Sequence, residues 1–263
     1  MPFRVYELSS SRNPLLQEIR RAAADGRSTD GGLLVAEGPH LVEELLRSSW
    51  QLHTLVVTSE TLPAWETRAR GADVETIVLP SKTFSAISST EATQGVLALV
   101  RPSRWEWKDL KSDRALVVAL DGLQDPGNAG TIIRSAEAFG ATGIVFLTGS
   151  VRIPNSKLMR AAAGSLFRLP YLESVEREVL LRNAQSDGLS IYSLSAGHNR
   201  SISDVRWTEA CVIIVGSEGA GVSETVSRAA EHVSIPTGRV ESLNAGVACS
   251  IALFEASRQR GVR

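Results

Sequence analysis

At 263 residues, 43% of them hydrophobic, the chain is long enough for two modest domains or one large one. Twenty-eight Lys and Arg against 29 Asp and Glu give a formal net charge of −1, so there is no global basic field, and any nucleic-acid contact has to come from local patches. Cys211 and Cys249 sit in apolar segments with no CxxC and no neighbouring histidine, which reads as reduced, buried thiols in a cytosolic protein and points to no metal site.

The opening MPFRVYELSSSRNP has no apolar h-region, and no apolar run approaches membrane-spanning length. A soluble, cytoplasmic protein without membrane contact is expected. From Pro14 to Ala24 the pattern is helical, with Leu15, Leu16 and Ile19 on one side and Arg20 and Arg21 on another. Gly31-Gly32 opens a short strand, LLVAEG, and a second helix follows from Pro39, with Leu41, Val42, Leu45 and Leu46 as its buried face. LHTLVVTS reads as a strand, ETLPAWETRARG as a helix, VETIVLP as a strand, SKTFSAISS as a short helix and QGVLALVRP as a closing strand. This alternation predicts a compact α/β layer over residues 1–101. Arg12, Arg20, Arg21 and Lys82 are candidates for phosphate contact, although a solvated surface accounts for them equally well.

Residues 102–114, PSRWEWKDLKSDR, are charged and aperiodic and read as a linker to a second domain, residues 115–263. Ala115–Leu120 is a continuous apolar run, as expected of a strand buried on both faces of a parallel sheet. DGLQDPGN leads into a helix whose Ile132, Ile133 and Ala136 pack inward; Gly140 ends it and GIVFL is the next strand, completing one βαβ unit. Neither GxGxxG nor GxxxxGK[ST] stands in this loop, which removes the main support for a standard dinucleotide or P-loop site. Instead Asn128 lies at the helix start and Arg134 under two turns on, both able to lean toward the C-terminal sheet edge where open α/β sheets bind ligands.

RIPNSKLMRAAAGSLFRLP, helical from about Ser156, carries Lys157, Arg160 and Arg168, the most basic stretch of this half. A helix from Val175 to Gln185, the strands LSIYSLS and CVIIVG and the loop GSEGAGVS complete the layer. Gly216, Gly219 and Gly221 permit tight backbone there, with Glu218 the lone carboxylate among them, and small residues let a ligand approach main-chain N–H groups. The apolar run Ala230 to Ile235 stops at Pro236, and Thr237-Gly238 make a turn. After Ser242 the pattern is helical: Leu243, Val247, Ile251 and Phe254 align on one face, with Ser242 as the expected N-cap. The unpartnered first-turn N–H groups of such a helix bind anions or polar ligands, unless Ser242 and Asn244 serve only as caps.

Taken together and in this order, NAGTIIR (128–134), IVGSEGAGVS (214–223) and IPTGRVESLNAGVA (235–248) resemble the three motifs of the SpoU (TrmH) family of RNA ribose 2′-O-methyltransferases, within the SPOUT superfamily. The resemblance covers nearly the whole chain. Residues from about Arg12 to Arg101 resemble the L30e-like substrate-binding domain that several of these enzymes carry, and NSKLMRAAAGSLFRLP is also similar to the family's version. The resemblance implies a Rossmann-like α/β catalytic domain with a C-terminal deep trefoil knot, which no periodicity could reveal because knots are nearly absent from proteins. It further implies S-adenosylmethionine as methyl donor and a homodimer whose interface helps to form the active site.

By that resemblance Arg134 is the central catalytic residue, Asn128, Ser242 and Asn244 orient ribose, arginine and cofactor, and Glu218 orders the site. Cofactor contacts fall on Leu194, Ser195, Ala196, Gly216, Glu218, Ile235, Leu243 and Asn244, with Ile235 and Leu243 sandwiching the adenine. Candidate RNA contacts are Arg12, Arg20, Arg21, Lys157, Arg160 and Arg168. Arginine is a poor base, so an electrostatic lowering of the hydroxyl's pKa is favoured over direct proton removal. One departure stands out: the family commonly has an extra residue between the IP pair and the glycine, whereas Pro236-Thr237-Gly238 is tighter. Ribosomal RNA is favoured over transfer RNA as target because of the L30e-like domain. The alternatives are a tRNA 2′-O-methyltransferase, a catalytically silent RNA-binding protein of the same fold, and an ordinary Rossmann oxidoreductase.

Overall fold

The computed structural model describes residues 4–8, 10, 12–69, 74–197 and 200–261. The chain divides into Met1–Arg104 with Ile153–Arg168, and Trp105–Arg152 with Leu169–Arg263.

The first unit runs β1 (Arg4–Glu7), α1 (Pro14–Asp25), β2 (Leu34–Glu37), α2 (Pro39–Leu46), β3 (Gln51–Thr58), α3 (Leu62–Arg68), β4 (Glu75–Leu79), α4 (Ser81–Ser85) and β5 (Val96–Arg101). Asn13 caps α1 by accepting from the Leu15 N–H at 3.0 Å, and Pro14 stands at its first position, where no N–H is needed. The sheet order is β1-β4-β3-β5-β2; β1, β4 and β3 are parallel, and β5 is antiparallel to β3 and β2. Leu16, Ile19, Val56, Ile77, Leu79, Phe84 and Leu97 form its core. Strand β1 was not anticipated from sequence. The expected end of α3 at Arg70 and Gly71, like residues 9 and 11 of the SSSRNP loop, lies outside the described residues.

The basic segment read with the catalytic half belongs to this first unit. Its helix α6 (Ser156–Ala161) buries Leu158 and Met159, and Phe167 packs edge-on against Trp50 with centroids 4.8 Å apart.

The second unit contains β6 (Leu116–Asp121), α5 (Pro126–Ala138), β7 (Gly143–Leu147), β8 (Tyr171–Val175), α7 (Arg177–Ser186), β9 (Ser190–Leu194), β10 (Cys211–Gly216), α8 (Glu224–Ala229), β11 (Glu231–Val233) and α9 (Ala245–Arg260). The strands form one all-parallel sheet ordered β11-β9-β10-β6-β7-β8, in which β6 and β10 are buried throughout. The order reverses between β6 and β10, whose last residues Asp121 and Gly216 are partners in register, so a topological switch point opens there. Trp107–Leu110, inside the expected linker, forms a 3-10 turn of this unit: Leu110 is fully buried in its core and the Trp107 indole N–H donates to Asp187 at 2.6 Å.

Helix α9 departs from the sequence reading in two respects. Asn244, not Ser242, is the N-cap, its Oδ1 accepting from the Val247 N–H at 3.2 Å. Its buried face is Ala245, Gly246, Cys249, Ala252, Leu253 and Ala256, whereas Val247, Ile251 and Phe254 are 45%, 36% and 55% exposed. Small residues let α9 lie close against α5: a Cβ on Gly246 would stand 3.2 Å from that of Thr131, and the Ser135 and Ser250 hydroxyls bond at 2.6 Å. Among the described residues no helix is long and apolar enough to cross a membrane.

Candidate active site

The buried run of β6 ends at Asp121, whose carboxylate is 2% exposed. One oxygen accepts from Arg177 Nε at 2.7 Å and the other from the Ser223 N–H at 2.7 Å, and Arg177 also donates to the Thr148 carbonyl at 3.2 Å. A buried carboxylate needs such partners. The pairing ties the end of β6 to the start of α7 and to the far end of the Gly-rich loop. Sequence reading missed it; an acidic residue closing an apolar strand was the available signal.

Asp125 caps α5 by accepting from the Asn128 N–H at 2.7 Å, and Pro126 occupies the next position. This fixes Asn128 in the first turn. Its Nδ2 donates to Glu218 Oε1 at 2.5 Å; Asn244 Nδ2 donates to Asn128 Oδ1 at 2.9 Å and to Glu218 Oε1 at 3.0 Å. Three segments far apart in sequence, the first turn of α5, the loop after β10 and the N-cap of α9, thus close into a triangle in which the carboxylate receives two amide donors. Charge-assisted bonds of this kind are roughly twice as strong as neutral ones.

Glu218 stands in a loop held by reciprocal bonds, Ser217 N–H to the Gly221 carbonyl at 3.0 Å and Gly221 N–H to the Ser217 carbonyl at 2.9 Å. A Cβ at Gly216 would fall 2.0 Å from the Gly221 carbonyl carbon, so only glycine fits. Gly221 has φ of +68°, which favours glycine. Gly219 needs neither, since a Cβ there meets nothing within 4 Å.

At the C-terminal ends of β9, β10 and β11 lies a cavity of about 680 Å³, within the range typical of small-molecule sites. Leu194, Ser195 and Ala196 line it after β9, Gly216 and Glu218 after β10, and Ile235, Ser242, Leu243 and Asn244 on the β11–α9 connection. All eight residues expected to touch a cofactor therefore share one wall system. Because α9 begins only at Ala245, Ser242 and Leu243 remain in the loop and border the cavity. A second cavity of about 410 Å³, lined by Gly122 to Asp125 and Ser217 to Gly219, shares Ser217 and Glu218 with the first.

His232 is within hydrogen-bond distance of three hydroxyls that sequence reading did not connect. Nδ1 is 2.7 Å from Ser193 Oγ and 3.3 Å from Ser195 Oγ, and Nε2 is 3.0 Å from Ser227 Oγ. Arg134 stands apart from the triangle: it is exposed on α5, about 9 Å of helix rise beyond Asn128, and bonds to no described residue. Ser242 likewise makes no side-chain hydrogen bond to the triangle. Among the described residues no cluster of three or more His, Cys, Asp or Glu could hold a metal.

The six basic residues expected to meet RNA all lie in the first unit. Arg12, Arg20, Arg21 and Lys157 are exposed. Arg160 donates to Ser89 Oγ at 3.0 Å and Arg168 pairs with Glu44, so those two guanidinium groups also serve the unit's own structure.

The sequence matches the SpoU rRNA Methylase family over residues 115–254 and an MRM3-like substrate binding domain over residues 18–98. An uncharacterized tRNA/rRNA methyltransferase of Synechocystis is 30% identical over 262 residues, covering 97% of this chain and 95% of the relative. The 23S rRNA (guanosine(2553)-2′-O)-methyltransferase RlmP of Bacillus subtilis is 29% identical, covering 94% of this chain and 98% of the relative. Among solved structures, an AdoMet-bound rRNA methyltransferase from Sinorhizobium meliloti superposes with a TM-score of 0.85 at 28% identity, over 97% of this chain and 98% of that one.

Proposed function

The chain belongs to the SpoU rRNA Methylase family, and from that premise we propose that it methylates the ribose 2′-hydroxyl of a nucleotide in structured RNA, with S-adenosylmethionine as donor. The observation that carries this reading is the triangle of Asn128, Glu218 and Asn244, two of whose members line the larger cavity.

The larger cavity fits the donor. It combines apolar walls from Leu194, Ile235 and Leu243 with main chain brought close by Gly216, a mixture suited to a nucleoside joined to an amino acid. When bound, S-adenosylmethionine supplies an electrophilic methyl group on a sulfonium. Ile235 and Leu243 are the side chains placed to hold the adenine, and the Ser195–Ala196 and Gly216 backbones to meet its polar groups. The smaller cavity, across Glu218, is the acceptor side.

A ribose hydroxyl is a weak nucleophile at neutral pH, so the protein has to orient it and ease loss of its proton. Asn128 and Asn244, locked by Glu218, present fixed amides for that orientation. Arg134, exposed and uncommitted, is free to engage the incoming nucleotide and its phosphate and to stabilise the developing alkoxide electrostatically. The proton then leaves to the phosphate or to solvent, because guanidinium does not accept one. Ser242 joins on substrate binding.

In this reading Met1–Arg104 with Ile153–Arg168 form the L30e-like RNA reader and Trp105–Arg152 with Leu169–Arg263 the catalytic domain, whose C-terminal segment forms the knot; of the expected linker at 102–114, Trp105 onward belongs to the catalytic unit. Arg12, Arg20, Arg21 and Lys157 supply the phosphate contacts. The exposed stripe of Val247, Ile251 and Phe254, extended by Phe139 at 5.8 Å from Phe254, supports a homodimer formed through α9. The protein works in the cytoplasm, and its substrate is ribosomal RNA, a reading supported by the 23S rRNA methyltransferase activity of the Bacillus relative. The test is to map 2′-O-methyl groups in ribosomal and transfer RNA from cells with and without the gene, then to restore any lost mark in vitro with purified protein and labelled donor. A lost mark confined to transfer RNA would move the substrate; no lost mark and no transfer would remove the enzyme.

A further inference from the structure

Glu218 and Glu241 both line the larger cavity, and among the described residues no lysine, arginine or histidine does. The two carboxylates are differently placed. Glu218 accepts from Asn128 and Asn244, whereas Glu241 is exposed and bonds to no described residue. Its charge stands at the cavity wall with no described cation paired to it.

We infer that Glu241 makes this cavity select the charged methyl donor over its spent form. The inference rests on the cofactor reading above. S-adenosylmethionine carries a sulfonium, an ammonium and a carboxylate, net +1; S-adenosylhomocysteine has a thioether in place of the sulfonium and is net neutral. The two are otherwise nearly the same shape, so hydrogen bonds and adenine packing cannot separate them. An uncompensated carboxylate can, because it acts on the difference of one charge. For a charge difference about 8 Å away, taken as the scale of such a cavity, and an effective dielectric between that of water and that of a protein surface, Coulomb's law gives a preference of about threefold to fivefold. A cavity of this kind favours exchange of spent product for fresh donor after each turnover. Because Glu241 is exposed, salt screens the effect.

Equilibrium titration of the full-length protein with S-adenosylmethionine and with S-adenosylhomocysteine tests this, in wild type, Glu241→Gln and Glu241→Asp. The expected result is that Glu241→Gln weakens donor binding about threefold to fivefold and leaves product binding within twofold, while Glu241→Asp keeps the wild-type preference. Raising salt from 0.05 to 0.5 M should narrow the wild-type preference more than that of Glu241→Gln, which keeps only the Glu218 carboxylate. Equal weakening of both ligands, or no change in either, overturns the inference while leaving the cofactor assignment standing. Failure of the wild type to bind either ligand overturns both.

Discussion

Replacing Asn244 by alanine and by serine separates two tasks performed by one amide. Its Oδ1 caps α9 through the Val247 N–H at 3.2 Å, while its Nδ2 donates to Asn128 Oδ1 at 2.9 Å and to Glu218 Oε1 at 3.0 Å. Loss of an N-cap costs about 1 kcal/mol, which lowers the melting temperature of a chain this size by roughly 2–4 °C. Serine is as good a cap as asparagine, so Asn244→Ser should melt above Asn244→Ala by about that 2–4 °C, the loss of the Nδ2 bonds being common to both. Alanine offers no donor, and the serine hydroxyl is one atom shorter than the amide and engaged at the cap, so neither restores the donation to Glu218. A hydrogen bond to a charged group is worth about 1.5–3 kcal/mol, and if that energy is felt at the reacting centre, kcat/KM falls between about tenfold and a hundredfold in both. Thermal melts and single-turnover methyl transfer on purified protein decide it. Recovery of transfer in Asn244→Ser would refute the reasoning, because the residue would then act only as a cap.

Gly216→Ala should cost about 1–3 kcal/mol and most of the donor affinity, since the added carbon meets the Gly221 backbone at 2.0 Å, whereas Gly219→Ala should leave both unchanged; paired melts and donor titrations compare them. Arg134→Ala should abolish transfer while shifting stability by less than about 0.5 kcal/mol, as the side chain is exposed and bonds to no described residue; retained turnover would remove it from the mechanism. For the proposed homodimer, light scattering at micromolar concentration should give a dimer mass for wild type and a monomer mass for Phe254→Glu; an unchanged dimer mass would place the interface elsewhere, and a monomeric wild type would remove the dimer. Burial pushes the Cys211 thiol up to about 11 and the Cys249 thiol up to about 12, so at pH 8 both stay protonated; a thiol reagent should label neither until denaturant is added.

Much of the fold was legible because the central strands of a parallel sheet are continuous apolar runs. ALVVAL and CVIIVG announce β6 and β10 without help from context. RVYE and YLESV did not announce β1 and β8: both lie at sheet edges, where charged residues replace the apolar signal and only pairing with a neighbour creates the strand. The basic segment 152–170 shows the same limit at the level of units. Its periodicity identifies α6, but nothing local says that Leu158, Met159 and Phe167 complete the core of the first unit.

For the site, the sequence by itself determined where polar residues interrupt the apolar elements: Asn128 at the start of a helix, Glu218 in a glycine-rich loop and Asn244 before the last helix, none of them with a place in the core. Only the tertiary structure decided that these three bond to one another, that Asn244 rather than Ser242 ends the helix, and that Val247, Ile251 and Phe254 face outward while alanines and a glycine face α5. Capping and packing depend on which surface a helix meets and how closely, and a periodicity of 3.6 gives the stripe but not the side that is covered.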